Sequence, residues 1–212
     1  DPESLAREER IARDACIAVA LKLSKLRAKA AAELSSQVTA AMQTLAMAGG
    51  RFEILLTPLE EPAPTGLEQV EFLMSPHAGG TARPVAKIAS GGELSRLSLA
   101  LQTVAIRTTE VPTLVFDEVD AGIGGSVAEI VGRMLKALGV GRQVLCITHL
   151  PQVAAAADHQ WRVAKRTVEG ETVSSVEPLD GDARVDEIAR MLGGTRITDT
   201  TRRHAAEMLG QA

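Results

Sequence analysis

The chain has 212 residues, 45% of them hydrophobic and 24% charged, enough to bury one sizeable core and unlike the composition of a disordered segment. Its 23 lysines and arginines against 27 aspartates and glutamates leave a net charge of −4, which excludes a polybasic nucleic-acid or membrane-surface binder of the kind that shows in bulk charge. Aromatics make up 2%, Phe52, Phe72, Phe116 and Trp161, too few for a platform that stacks single-stranded bases.

Residues 3–48 contain neither Gly nor Pro and are dominated by Ala and Leu, which predicts one long helix of roughly 70 Å. Ala12, Cys16, Val19, Leu23, Leu26 and Ala30 alternate at four and three residues, the spacing of a coiled coil; Leu34, Val38, Met42 and Leu45 drift toward the spacing of a helix packed on a globular core. The reading adopted is an arm, residues 1–48, that enters a globular part, residues 49–212, with Gly49-Gly50 as its stop; the alternative is a helix packed along its whole length on its own domain. Strands are expected at 52–57 and 68–74 around the proline-rich stretch 58–66, and an amphipathic helix at 93–107 with Leu94, Leu97, Ala100, Leu101, Val104 and Ala105 on one face.

The pattern then changes class. Thr113-Leu114-Val115-Phe116 and Val144-Leu145-Cys146-Ile147 are short, continuous apolar runs, and 127–138 between them reads as a helix, together the βαβ unit of a buried parallel sheet. A second hairpin is expected at 161–165 and 172–176 around Glu169-Gly170, then two helices at 184–192 and 198–209. Cys16 and Cys146 stand far apart in apolar company, as in a reduced cytosolic protein rather than a disulfide scaffold. No apolar run has the length of a membrane span, and the charged start, without Met or signal-peptide layout, reads as a piece of something longer.

Ligands of open α/β sheets bind beyond the carboxyl ends of the strands. The first apolar run ends in Asp117-Glu118 and the second in Thr148-His149. Adjacent carboxylates at a strand end suit an Asp that holds hydrated Mg²⁺ and a Glu that polarises an attacking water; the plainer alternative is a structural pair bonded to loop amides. His149 reads either as a loop cap or as a donor to a terminal phosphate. Ser90-Gly91-Gly92-Glu93 opens a helix, where unpaired amides and the helix dipole make an anion site; the alternative is an ordinary N-cap by Ser90. No G-x-x-x-x-G-K-[ST] phosphate loop occurs in the chain.

In this order, the residues resemble the ATP-binding-cassette (ABC) ATPases, and within them the branch like the structural-maintenance-of-chromosomes (SMC) proteins that serves bacterial DNA repair. Ala89-Ser90-Gly91-Gly92-Glu93 is similar to the cassette signature, residues 113–118 to the Walker B strand, Val119-Asp120-Ala121-Gly122 to the D-loop and His149 to the switch histidine. Residues 87–96, 116–123, 147–154 and 187–194 extend the likeness over nearly the whole chain; His77-Ala78-Gly79-Gly80 departs from the turn expected there. The resemblance implies an α/β fold, the C-terminal lobe of an ABC-ATPase head behind a coiled-coil-type helix, whose Walker A half lies in a preceding N-terminal segment. It implies ATP and Mg²⁺ as ligands and a homodimer closed on ATP, with Ser90, Gly91, Gly92, Glu93 and Asp120 contacting nucleotide. Asp117 is then the metal residue, Glu118 the general base, and His149 a catalytic contact to the γ-phosphate. Implied partners are double-stranded DNA and DNA ends, in the cytoplasm at the nucleoid, with no membrane. A transporter's nucleotide-binding subunit and a catalytically dead clamp are the rival classes; intact Glu118 and His149 speak against the second.

Overall fold

A computed structural model describes residues 1–105, 111–168, 171–193 and 197–211. The chain forms two compact units, one of residues 1–43 and 47–89, the other of residues 44–46 and 90–212.

In the first unit, helix α1 (Pro2–Met42) is capped by the Asp1 carboxylate and closes at Gln43. It stops short of the expected end at residue 48, because Leu45 and Met47 are fully buried and leave the helical path to become so. Strands β1 (Gly49–Ala63) and β2 (Gly66–His77) form an antiparallel hairpin, and β3 (Arg83–Pro84) adds to the far edge of β2. Both long strands run further than the sequence suggested. The prolines at 58 and 62 are absorbed in β1, with a register shift between Pro58 and Ala63, as proline is tolerated at bulges and unpaired edges.

The hairpin lies along α1. Ala20, Ala31, Val38 and Met42 are buried, Ser35 Oγ accepts from the Ile54 amide at 3.1 Å, and Thr39 Oγ1 accepts from the Phe52 amide at 3.0 Å. Phe52, 1% exposed, meets Phe72 edge to face at 5.5 Å. Much of the proposed seam stays open: Val19 and Leu26 are 66% and 67% exposed, and Ala12, Cys16, Leu23 and Ala30 are also exposed, although Ala12 and Cys16 share a cleft with Glu61 and Pro62 of β1 and Leu23 lies beside Gly66 of β2. The hairpin, bonded to the helix, belongs to the same compact unit, which runs to residue 89.

The second unit holds the parallel pair β4 (Thr113–Phe116) and β5 (Gln143–Cys146), joined by α3 (Gly125–Leu138). This is the expected βαβ unit. Helix α2 (Gly91–Val104) precedes it and α4 (Pro151–Ala156), not foreseen, follows. The face of α2 is broader than its apolar periodicity indicates, because Arg96 and Leu99 are buried with Leu97 and Ala100. Position 107, the expected end of that helix, lies outside the described residues, as do Glu169-Gly170 and residue 194 of the tail motif.

Strands β6 (Gln160–Val168) and β7 (Glu171–Leu179) form an antiparallel ribbon, and α5 (Gly181–Gly193) and α6 (Asp199–Met208) close the unit. Ala154, Val185, Ile188, Ala189 and Ala205 form the core where α4, α5 and α6 meet. Arg184 of α5 donates to the carbonyls of Ala154, Ala157 and Asp158, which satisfies orphan acceptors at the end of α4.

The two sides of α1 should answer differently to substitution. Met42→Ala should destabilise the first unit by about 2–5 kcal/mol, whereas Val19→Asp should change its stability by less than about 0.5 kcal/mol, both read from urea denaturation followed by circular dichroism.

Candidate functional site at the parallel strand ends

Phe116, 4% exposed, ends the buried part of β4, and the chain emerges with Asp117 and Glu118 both exposed. Glu118 has φ 56°, a left-handed conformation that costs a residue with a side chain about 1–3 kcal/mol and persists only where its surroundings impose it. Here they do. The Glu118 amide donates to Asp117 Oδ1 at 2.9 Å, and its carbonyl accepts from the Ala121 amide at 3.0 Å. The carbonyl of Asp117 accepts from the Ser95 hydroxyl of α2.

Asp120 is 2% exposed. Its Oδ2 accepts from Thr148 Oγ1 at 2.5 Å and from the His149 amide at 3.0 Å, and lies 3.2 Å from His149 Nδ1. One carboxylate thus joins the loops at the ends of β4 and β5. The His149 ring is 70% exposed, and with Nδ1 on Asp120 its Nε2 is the nitrogen left to meet a ligand. Between these loops, burial pushes the Cys146 thiol up to about 12, with further contributions from Asp120 and Asp117.

Helix α2 starts beside them. Ser90 is its N-cap, accepting from the Glu93 amide at 3.3 Å. The capping alternative is therefore real, yet a hydroxyl that accepts keeps its own proton to donate, and the first amides of a helix have no intrahelical partner. Gly91 and Gly92 are bare for a visible reason. A Cβ on Gly91 would overlap Glu118 Oε2; one on Gly92 would lie 3.0 Å from Ala121 Cβ and 3.1 Å from Arg96 Nη1. Arg96 Nη1 donates to the Ala121 carbonyl at 2.7 Å; burial lowers the pKa of this guanidinium, and Glu93 acts in the opposite sense.

The structure thus brings together Ser90, Gly91, Gly92, Glu93, Asp117, Glu118, Asp120 and His149 in the second unit. Asp120 bonds to Thr148 and His149, and the charge of Glu93 acts on the Arg96 guanidinium. Ser95, Arg96 and Thr148 were missed as site residues: hydroxyls and an arginine beside a motif carry no periodic signal, and only the folded loops show what they hold. The His77–Gly80 turn lines a pocket of about 390 Å³ within the first unit, with Gly49, Arg51 and Ser75.

Among solved structures, the Smc head domain with a coiled coil and joint from Pyrococcus yayanosii superposes with a TM-score of 0.55 at 24% identity, over 77% of this chain and 29% of that one. The Smc head with an extended coiled coil bound to the C-terminal domain of ScpA, from Pyrococcus furiosus, gives 0.52 at 24%, over 79% and 38%. The fold is that of an Smc head domain, in its C-terminal half.

Sequence comparison is more particular. The chain is 50% identical over 190 residues to the DNA repair protein RecN of Xylella fastidiosa, covering 89% of this chain and 34% of that protein. It is 43% identical over 207 residues to RecN of Vibrio cholerae (97% and 37%) and 44% identical over 206 residues to RecN of Streptomyces coelicolor (92% and 36%). The chain belongs to the RecN family of SMC-like proteins. It spans about a third of the length of the curated relatives it matches. No protein-family model matches it. Among the described residues no helix is long and apolar enough to cross a membrane.

Two measurements check this geometry. Because the thiolate is the nucleophile, Cys146 should alkylate at least about a hundredfold more slowly than exposed Cys16 at pH 8, and should gain on it as pH rises toward the raised value; peptide mass spectrometry after iodoacetamide reads both. Gly92→Ala should overpack the contact with Ala121 and cost roughly 1–3 kcal/mol in urea denaturation, with no comparable loss for Gly124→Ala, where an added methyl meets nothing.

Proposed function

We propose that the chain is the C-terminal half of an ATP-hydrolysing head that acts in DNA repair, completed by an N-terminal Walker A segment of the same protein. Residues 1–48 are then the returning arm of its coiled coil and 49–212 the head half. Two heads close on ATP, and Ser90, Gly91 and Gly92 face the nucleotide carried by the opposite copy. In that arrangement the protein holds or bridges the ends of broken double-stranded DNA in the nucleoid. The observation that carries this reading is the joined strand ends: Glu118 fixed beside Asp117, and His149 oriented by a buried Asp120.

The residues fit the ligands this requires. Mg²⁺ keeps several waters and takes one or two carboxylates with substrate phosphates, a part that the exposed Asp117 carboxylate fits. When bound, the metal supplies charge neutralisation to the phosphates. Glu118 accepts the proton of the attacking water at its carboxylate, and His149 presents Nε2 to the terminal phosphate while Asp120 fixes its ring. Ser90 and the amides of Gly91 and Gly92 donate to phosphate oxygens at the helix N-terminus. No observation favours the transporter-subunit alternative.

The test separates the two carboxylates in the complete protein. Glu118→Gln keeps the shape of the side chain but removes its basicity, so turnover should fall about 10²–10⁴-fold while ATP still binds and closed dimers accumulate. Asp117→Asn should instead weaken Mg²⁺-dependent ATP binding itself. Nucleotide affinity, turnover and dimer mass measured together decide it, and wild-type turnover in Glu118→Gln would refute the assignment.

A further inference from the structure

Arg96 lies on the buried side of α2, 7% exposed, where the pattern of neighbouring residues calls for an apolar side chain. Leu or Met would fill such a place without desolvating a charge. Instead, Nη1 reaches the carbonyl of Ala121 at 2.7 Å, and Nε is buried without a hydrogen-bond partner among the described residues. The guanidinium rests on the bare face of Gly92, where an added Cβ would stand 3.1 Å from Nη1 and 3.2 Å from the Ala121 carbonyl oxygen.

That carbonyl is one end of a short lever. The amide of Ala121 donates back to the carbonyl of Glu118 at 3.0 Å, so the 118–121 turn is closed on itself and Arg96 grips it from outside. Ser95, one residue earlier, takes the carbonyl of Asp117. Successive side chains of α2 therefore hold the residue before Glu118 and the residue three after it. Between them sits the one backbone in this loop that a side-chain-bearing residue adopts with difficulty, Glu118 at φ 56°.

We propose that Arg96 is a positioning residue: through the Ala121 carbonyl it locks the Glu118 turn onto the first turn of α2, so that the Gly91-Gly92 anion site and the Glu118 carboxylate move as one body. The inference rests on the reading of Glu118 as the base in ATP hydrolysis. Arg96 itself touches no substrate. Its effect is that any displacement of Gly91 or Gly92 is passed to Glu118 in the same chain, which ties the phosphate-facing turn of one composite site to the base that serves the other. A lysine could keep the charge and reach the carbonyl with one donor, but lacks the planar multi-donor guanidinium.

The experiment uses the complete protein with Arg96→Met and Arg96→Lys, and reads hydrogen–deuterium exchange without nucleotide beside steady-state ATP turnover. In Arg96→Met, amides 118–122 should exchange at least about tenfold faster while those of α5 keep their wild-type rates. Its kcat should fall roughly 10–100-fold, the loss expected of a reacting group misplaced by about an ångström, with KM for ATP within about threefold of wild type. Arg96→Lys should lie between wild type and Arg96→Met in both readouts. Unchanged exchange at 118–122 in Arg96→Met overturns the proposal, as does a raised KM with kcat intact. If Arg96→Met fails to fold, Arg96→Lys decides alone: faster exchange at 118–122 with reduced kcat supports the role, and wild-type values in both refute it. A wild-type protein that hydrolyses no ATP removes the hydrolysis reading, while the exchange comparison still judges whether Arg96 holds the turn.

Discussion

Asp120 keeps 2% of its surface in contact with water, and a carboxylate so withdrawn is tolerated only where donors replace the lost solvent. In this fold the donors come from another strand end: Thr148 Oγ1 and the His149 amide, with His149 Nδ1 at the same oxygen. Much of the site follows from that requirement. The loop after β4 cannot move without breaking bonds to the loop after β5. Thr148 must be a hydroxyl residue, because its oxygen also accepts from the Leu150 amide at 3.0 Å and so starts the approach to α4. His149 must enter with Nδ1 inward, which decides the nitrogen it can offer to a ligand.

A second constraint works at the other side of the same loop. Glycines 91 and 92 serve there less for freedom of the backbone than for absence of bulk, since a Cβ on Gly91 would displace the carboxylate end of Glu118 and one on Gly92 would crowd Ala121 and Arg96. Close approach of this kind brings polar groups within reach of one another: Ser95 meets the Asp117 carbonyl and Arg96 Nη1 the Ala121 carbonyl. The strained backbone at Glu118 is the residue of this matching. It is held by neighbours on both sides, which fits a group whose exact placement matters more than its own conformational preference.

The legibility of the fold varied with the kind of signal. Thr113–Phe116 was read to the residue because a continuous apolar run ended by Asp117 has no competing interpretation, and the neighbouring run was displaced by one position only. The hairpin of the first unit is legible only in part, since the prolines read as a stop, whereas Pro58 still pairs with Glu68 and Pro62 falls in the register shift that follows. Arg96 escaped because its burial is caused by a carbonyl twenty-five residues away, and no window of local sequence contains that carbonyl. That Ser90, Gly91, Gly92, Asp117, Glu118, Asp120 and His149 lie near one another is legible through motif order; the bonds that join them are not. The motif position of Asp120 says nothing of its buried bonds to Thr148 and His149, which only the folded loops show.

The long helix shows how one element can carry two periodic messages. Its buried set, Ala20, Ala31, Val38 and Met42, faces the hairpin, whereas Ala12, Cys16, Val19, Leu23, Leu26 and Ala30 fall, at about 100° per residue, on a stripe roughly a quarter-turn away. Beside the first stripe, Ser35 and Thr39 bond to the backbone of β1. They do this without closing the second stripe, where Val19 and Leu26 remain two-thirds exposed. The hairpin packs along one stripe of the helix, and beside it Val19 and Leu26 stay exposed on a four-and-three spacing that a second helix could follow.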